Sequence, residues 1–242
     1  MTTTKRICVW SGPRNGSSAF LYAFAQRGDT VVMDEPLYGH YLKRTGAQHP
    51  GREEVLAQVD TAAESVISNG ILGDHSRPVL FIKDMPHHLV GLDLGFVNEL
   101  ENIFLIRNPR EAIPSLLRYI PNPEMLDTAY KMQYELFERL RAQGKNPLVI
   151  DVKHIRLNPK AQIKRVCSRT GINFADTMLK WQSGTLPQEG IWGKYWYDQV
   201  HQSTGFMPYE EKSFDEIPEH LESLVEECYD YYLKLYEYAI LN

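Results

Sequence analysis

Cysteine is scarce in this chain. Cys8, Cys167 and Cys228 are the only three, far apart and without CxxC or Cys/His metal spacing. That scarcity argues against a disulfide framework or a thiolate metal site, and suits buried thiols in a reducing compartment. No apolar run reaches the ~18 residues needed to span a membrane. The polar start, Met1-Thr2-Thr3-Thr4-Lys5-Arg6, lacks the apolar core of a secretory signal, so a soluble cytoplasmic protein is expected. Positive charge is also in short supply: 26 Lys and Arg against 31 Asp and Glu give a net charge of -5. A general nucleic-acid binder is therefore not expected, although a local basic site is compatible with that balance. Internal repeats, low-complexity tracts and Gly/Ser linkers are missing too, and 242 residues suit one domain over 1–242.

What is present is a core-forming composition, 43% hydrophobic and 11% aromatic. Short apolar runs alternate with longer helical patterns, the signature of an α/β fold. The strand candidates are Arg6–Trp10, Thr30–Met33, Pro78–Lys83, Asn102–Ile106 and Pro147–Val152. Helices are expected over Ser17–Arg27, Glu53–Ser68, Gly91–Leu100, Arg110–Tyr119, Pro123–Gln143, Asn158–Arg169 and near Phe174–Trp181. Gln182–Pro208 reads as a long loop rich in Gly and aromatics, of the kind that forms lids. A last helix near Pro218–Leu241 carries an apolar stripe from Leu221, Leu224, Val225, Cys228, Tyr232, Leu235 and Ala239. The expectation is a three-layer parallel sheet with helices on both faces.

The most informative stretch is Ser11-Gly12-Pro13-Arg14-Asn15-Gly16-Ser17-Ser18, between the first strand and the first helix. A turn there aims backbone N–H groups and a helix N-terminus at one point, which favours phosphate or sulfate. Gly12 and Gly16 allow close backbone approach, and Ser17 and Ser18 supply hydroxyls. A Walker A loop ends Gly-Lys-Ser/Thr; this one reads Gly16-Ser17-Ser18, with Arg14 as its cation inside the turn. An ordinary NTPase does not fit.

Ligands of open parallel sheets bind beyond the carboxyl ends of the strands. The second strand delivers Asp34-Glu35-Pro36 there, the third Lys83-Asp84-Met85-Pro86-His87-His88, and the fourth Arg107-Asn108-Pro109-Arg110, followed by Ser115 on a helix. A guanidinium fork binds two phosphate oxygens, and a hydroxyl adds a third contact.

Taken together, these motifs resemble the P-loop-like sulfotransferases that use 3′-phosphoadenosine 5′-phosphosulfate (PAPS). Ser11–Ser18 resembles their 5′-phosphosulfate loop. Arg107 and Ser115, eight positions apart, resemble the pair that grips the 3′-phosphate. The resemblance implies that Gly12, Arg14, Asn15, Gly16, Ser17, Ser18, Arg107 and Ser115 hold the cofactor, whose spent form is adenosine 3′,5′-bisphosphate. Gly190-Ile191-Trp192-Gly193-Lys194 partly matches a third element, a loop closing over the 3′-phosphate. It departs in spacing, so Trp192 and Lys194 are expected at the cofactor, or else Tyr195, Trp196 and Tyr197 line the acceptor side.

Sulfuryl transfer leans on positioning and electrostatics, so protein cations can do without a metal. Arg14 and Lys83 are the candidate cations. The general base is open among three residues. Glu35 stands where Arg-loop relatives, such as the tyrosylprotein and bacterial glycolipid enzymes, use a Glu. His87 and His88 lie near the catalytic His of cytosolic relatives, although Asp84 and Met85 occupy the matching positions. His40 and Tyr41 are further acceptor-pocket candidates. The expected reaction is transfer to a hydroxyl or amine of a small-molecule acceptor, with no nucleic-acid or membrane partner. The other readings are a nucleotide kinase or other P-loop phosphotransferase, and a non-catalytic nucleotide-binding protein.

Overall fold

The computed structural model describes residues 4–210 and 217–240. β1 (Lys5–Ser11), β2 (Thr30–Asp34), β3 (Val79–Asp84), β4 (Glu101–Ile106) and β5 (Leu148–Asp151) form one sheet in the order β2-β3-β1-β4-β5. Every pairing is parallel. Each strand lies within one residue of the position its apolar run predicts.

The helices are α1 (Ser17–Ala25), α2 (Tyr38–Thr45), α3 (Arg52–Gln58), α4 (Ala63–Ser65), α5 (Pro109–Leu116) and α6 (Met125–Thr128). They continue with α7 (Tyr130–Ala142), α8 (Val152–Leu157), α9 (Pro159–Arg169), α10 (Gly193–Trp196), α11 (Asp198–His201) and α12 (Glu222–Tyr236).

Strand side chains alternate between faces, and that alternation divides the core into two layers. Ile7, Val9, Phe81, Ile103 and Leu105 pack with Phe20 and Phe24 of α1, Leu42 of α2 and Val166 of α9. Cys8, Trp10, Ile82, Phe104 and Ile106 pack on the opposite face with Phe137 and Leu140 of α7 and Val225 and Leu235 of α12. The architecture is thus the expected parallel sheet with helices on both faces. All three cysteines are buried and unpaired. Among the described residues, no helix is long and apolar enough to cross a membrane.

Several helix expectations need correction. Glu53–Ser68 is not one helix: it breaks after Gln58, where Val59 turns extended and the Asp60 carboxylate accepts from the Ala62 N–H at 2.8 Å. A π-helical turn, Val66–Ile71, then follows α4. Pro123–Gln143 splits at Ala129, whose φ of 64° is left-handed. Gly91–Leu100 and Phe174–Trp181 contain only the short 3-10 turns Gly95–Glu99 and Asp176–Leu179. α2, unexpected, lies between β2 and α3. The C-terminal helix ends at Tyr236 rather than Leu241, and Leu241 lies outside the described residues. Its stripe packs as expected: Val225, Cys228 and Leu235 are fully buried.

Candidate active site

β1 is flanked by β3 on one side and β4 on the other. The β1–α1 loop therefore opens at the point where strand order reverses, the crevice in which such sheets bind ligands. Gly12 is required there, because a Cβ would stand 2.8 Å from the Thr128 carbonyl oxygen. Arg14 and Gly16 take left-handed φ of 62° and 78°, which fold the loop tightly enough for α1 to begin at Ser17. No side chain caps α1, so its first N–H groups are left without a capping side-chain partner. Asn15 is wholly buried, and its Oδ1 has no hydrogen-bond partner.

Beyond the loop lies a cavity of about 580 Å³, within the ~300–1,000 Å³ usual for small-ligand sites. Arg14, Gly16, Ser17 and Ser18 reach it from the loop, Arg107, Arg110 and Ser115 from β4 and α5, and Glu35, Lys83, His87 and His88 from β2 and β3. Gly12 and Asn15 stand behind the loop and shape it without lining the cavity.

The anion-binding candidates touch one another directly. Arg14 Nε donates to Ser115 Oγ at 3.0 Å, and its Nη1 donates to the Trp196 carbonyl at 2.7 Å. Its guanidinium lies over the Tyr119 ring, 4.8 Å from the centroid. Burial lowers its pKa, yet a guanidinium keeps its charge at any working pH. Arg107 Nη1 donates to the Arg14 carbonyl at 2.8 Å, and its Nε meets Glu111 at 3.2 Å. Two segments 93 residues apart thus share one cationic corner.

Across the cavity, Lys83 is buried among acids. Its ammonium is 3.2 Å from Asp34, pairs with Glu35, and donates to the Tyr197 hydroxyl. Burial alone would lower the Lys83 pKa, but Asp34 and Glu35 outweigh it and hold it above the ordinary value. Glu35 has a strained φ of 42°. Burial pushes its carboxyl up to about 7, with Lys83 pulling downward and Asp34 upward. Asp34 is the better-satisfied acid: the Tyr197 hydroxyl donates at 2.8 Å and the Gly190 N–H at 3.1 Å.

The two histidines belong to a fully buried group. His88 Nδ1 is 2.7 Å from Asp84 Oδ1. Asp84 also accepts from the Met85 N–H at 2.8 Å, and burial raises its pKa to about 7. Burial, reinforced by neighbouring cations and imidazoles, lowers both His87 and His88 well below the usual histidine range. His49, also burial-depressed, falls to about 4.

Two expected cofactor residues do not reach the cavity. Trp192 is buried in the core, edge-on to Tyr38 at 5.2 Å. Lys194 is an exposed side chain paired with Glu54 at 2.6 Å. The partial Gly190–Lys194 match is therefore a structural strap: the tryptophan anchors it and the lysine faces outward. Of the acceptor-side candidates, Trp196 and Tyr197 line the cavity, whereas His40, Tyr41 and Tyr195 do not. His40 is occupied by the Val90 carbonyl at 2.9 Å, and Tyr195 by Glu54 at 2.6 Å. Sequence reasoning passed over Asp34 and Asp84, which sit beside named candidates at strand ends, and gave Tyr197 no part in the base cluster.

A Sulfotransferase domain family model matches residues 5–229. The chain belongs to the sulfotransferase family. This sulfotransferase-family chain is 36% identical over 207 residues to the branched-chain-amino-acid aminotransferase-like protein 1 of Arabidopsis thaliana, covering 85% of the chain but 37% of that protein. It thus spans little more than a third of that curated relative's length. Among solved structures, the sulfotransferase domain of the Synechococcus PCC 7002 olefin synthase superposes with a TM-score of 0.57 at 15% identity. That match covers 100% of this chain and 98% of the other. The sulfotransferase domain from the curacin biosynthetic pathway gives 0.54 at 13% identity, covering 95% and 98%. At such identities these two domains share the fold.

Proposed function

We propose that this chain transfers a sulfuryl group from PAPS to a hydroxyl or amine of a small-molecule acceptor. The observation that carries this reading is the meeting of two opposed chemistries in one cavity. An arginine-rich anion corner faces a buried carboxylate whose pKa stands at about 7. The residues present fit the donor. Arg14, Ser17, Ser18 and the open first turn of α1 would hold the 5′-phosphosulfate, and Arg107 and Ser115 the 3′-phosphate. When bound, the donor supplies the sulfuryl group. The chain supplies position, charge and a proton acceptor.

Glu35 is the base in this reading. Its Oε1 pairs with Lys83, while among the described residues Oε2 has no hydrogen bond and is not sealed from the cavity. A pKa near the working pH gives the best compromise between being ionised and being basic. His87 and His88 are poorer bases here, because burial has stripped them of proton affinity and His88 is tied to Asp84. Arg14 neutralises charge on the departing 5′-phosphate, while Arg107 holds the 3′-phosphate that does not react. The acceptor end is walled by Tyr38, His49, Trp196 and Tyr197, rings without formal charge that suit a neutral organic molecule.

The test is a PAPS-consumption assay, with release of adenosine 3′,5′-bisphosphate followed against a panel of hydroxylated and amine metabolites. Acceptor-dependent release supports the proposal. Bisphosphate binding without release for any acceptor would favour a non-catalytic nucleotide binder, and Mg²⁺-dependent ATP binding a phosphotransferase.

A further inference from the structure

Tyr197 enters the acid–lysine cluster from outside the sheet, at the junction of α10 and α11. Tyr197 lines the cavity and is only 5% exposed. The hydroxyl oxygen accepts a hydrogen bond from Lys83, its O–H donates to Asp34 at 2.8 Å, and it stands 3.2 Å from Glu35 Oε1. Lys83 lies 4.6 Å from the ring centroid. A phenol has one proton to give and lone pairs to accept with. It therefore sits here as a nucleophilic hydroxyl would have to sit: proton toward a carboxylate, oxygen beside an ammonium, base within reach.

That placement has a cost for any incoming molecule. An ammonium has three donors, and those of Lys83 go to Asp34, Glu35 and Tyr197. No donor is left for an acceptor or a sulfuryl oxygen unless a partner withdraws. Asp34 and Glu35 are fixed at the end of β2, whereas Tyr197 is carried by the strap that begins at Gly190. The strap is fastened at separate points. The Gly190 N–H donates to Asp34, the Trp196 carbonyl accepts from Arg14, and the Tyr195 hydroxyl bonds to Glu54. One of those fastenings is the arginine of the anion loop, so the group that meets the donor also helps to hold the plug.

We infer that Tyr197 is an intramolecular stand-in for the acceptor. Its hydroxyl fills the acceptor-hydroxyl seat between Lys83 and Glu35, and the acceptors that displace it are small neutral phenols. The inference rests on the sulfuryl-transfer reading above and deepens it by naming the acceptor class. An occupied seat weakens the apparent affinity for an acceptor by the fraction of time the seat is open: a seat open about a tenth of the time costs about tenfold.

Two variants of the full chain test this. Tyr197→Phe keeps the ring and removes the plug. Gly193→Ala displaces it indirectly, since the new Cβ would stand 3.2 Å from the Tyr197 ring and 2.8 Å from Glu189. Calorimetry first measures adenosine 3′,5′-bisphosphate binding to wild type and both variants. Failure of wild type to bind would sink the sulfuryl-transfer reading itself. With bisphosphate bound, 4-methylphenol, a phenol that stays neutral at working pH, is then titrated into each protein. The expected result is binding about tenfold tighter in both variants than in wild type, with bisphosphate affinity unchanged. Phenol binding equal to wild type or weaker in Tyr197→Phe, with bisphosphate binding intact, overturns the inference. PAPS hydrolysis gives a second readout that needs no acceptor. A vacated seat admits water, so hydrolysis should rise about tenfold in Tyr197→Phe; a fall would instead assign Tyr197 to positioning Lys83.

Discussion

Replacing Glu35 with Gln isolates the base from everything around it. The amide keeps the side chain's shape but cannot take a proton from an acceptor. Lys83 is not orphaned by the change, because Asp34 remains 3.2 Å away and Tyr197 still accepts from it. Glu35 makes no hydrogen bond to Arg14, Arg107 or Ser115, so bisphosphate affinity should stay within about threefold of wild type. Turnover should fall by ~10²–10⁴, the usual contribution of a positioned base, or about 2.7–5.5 kcal/mol of barrier at ~1.36 kcal/mol per decade. The pH profile adds a second signature. With its pKa at about 7, Glu35 loses its proton as pH rises through that value, so wild-type turnover climbs there. The variant should lack that limb. Stability follows the opposite sign. The folded pKa lies above the unfolded value of ~4.3, so Glu35's contribution is complete below ~4.3 and lost as pH rises through 7. The variant should therefore melt no lower than wild type at pH 8. Initial rates of bisphosphate release, calorimetry and melting curves measure the three quantities. Turnover within about threefold of wild type, or a persisting limb near pH 7, would refute the assignment and move it to His87 or His88.

Removing the charged fork with Arg107→Ala should weaken bisphosphate binding by about 2 kcal/mol or more, roughly 30-fold, by calorimetry. Lys194→Ala, outside the cavity, should leave that affinity within about twofold. Gly12→Ala forces a Cβ against the Thr128 carbonyl at 2.8 Å. A cost of about 1–3 kcal/mol is expected, seen as a melting temperature lowered by roughly 2–12 °C. Asp84→Asn removes a buried carboxyl held at about 7, whose stabilising effect is present at low pH and lost as pH rises through 7. The variant should gain on wild type by about 2–3 kcal/mol between pH 5 and pH 8, measured by denaturant titration. An unchanged difference would count against the raised pKa.

Sequence and structure agree most closely where a local rule is strong. Parallel strands buried on both faces read as continuous apolar runs, and all five are correct to a residue at each end. Their carboxyl ends then converge by topology alone, which is why Arg14, Glu35, Lys83 and Arg107 meet in one cavity. What escaped the sequence depends on distant contacts. The long helix pattern after Pro123 breaks at Ala129, where the chain turns left-handed beside the carbonyl that abuts Gly12. α2 was readable from Tyr38, Tyr41 and Leu42 with Gly46 as its C-terminal stop, but the run is short. Tyr197 meets Asp34 across 163 residues, and no spacing rule connects them. The Gly190–Lys194 resemblance misled for a related reason. Trp192 and Lys194 match the expected residue types, but Tyr38 takes the tryptophan into the core and Glu54 holds the lysine at the surface.

Titration of the wild-type chain with adenosine 3′,5′-bisphosphate in a calorimeter tests the central claim most directly. The Arg14 loop and the Arg107–Ser115 pair predict saturable binding at micromolar ligand that is abolished or strongly weakened in Arg107→Ala. Absence of binding at high micromolar ligand, in protein shown to be folded, would contradict it.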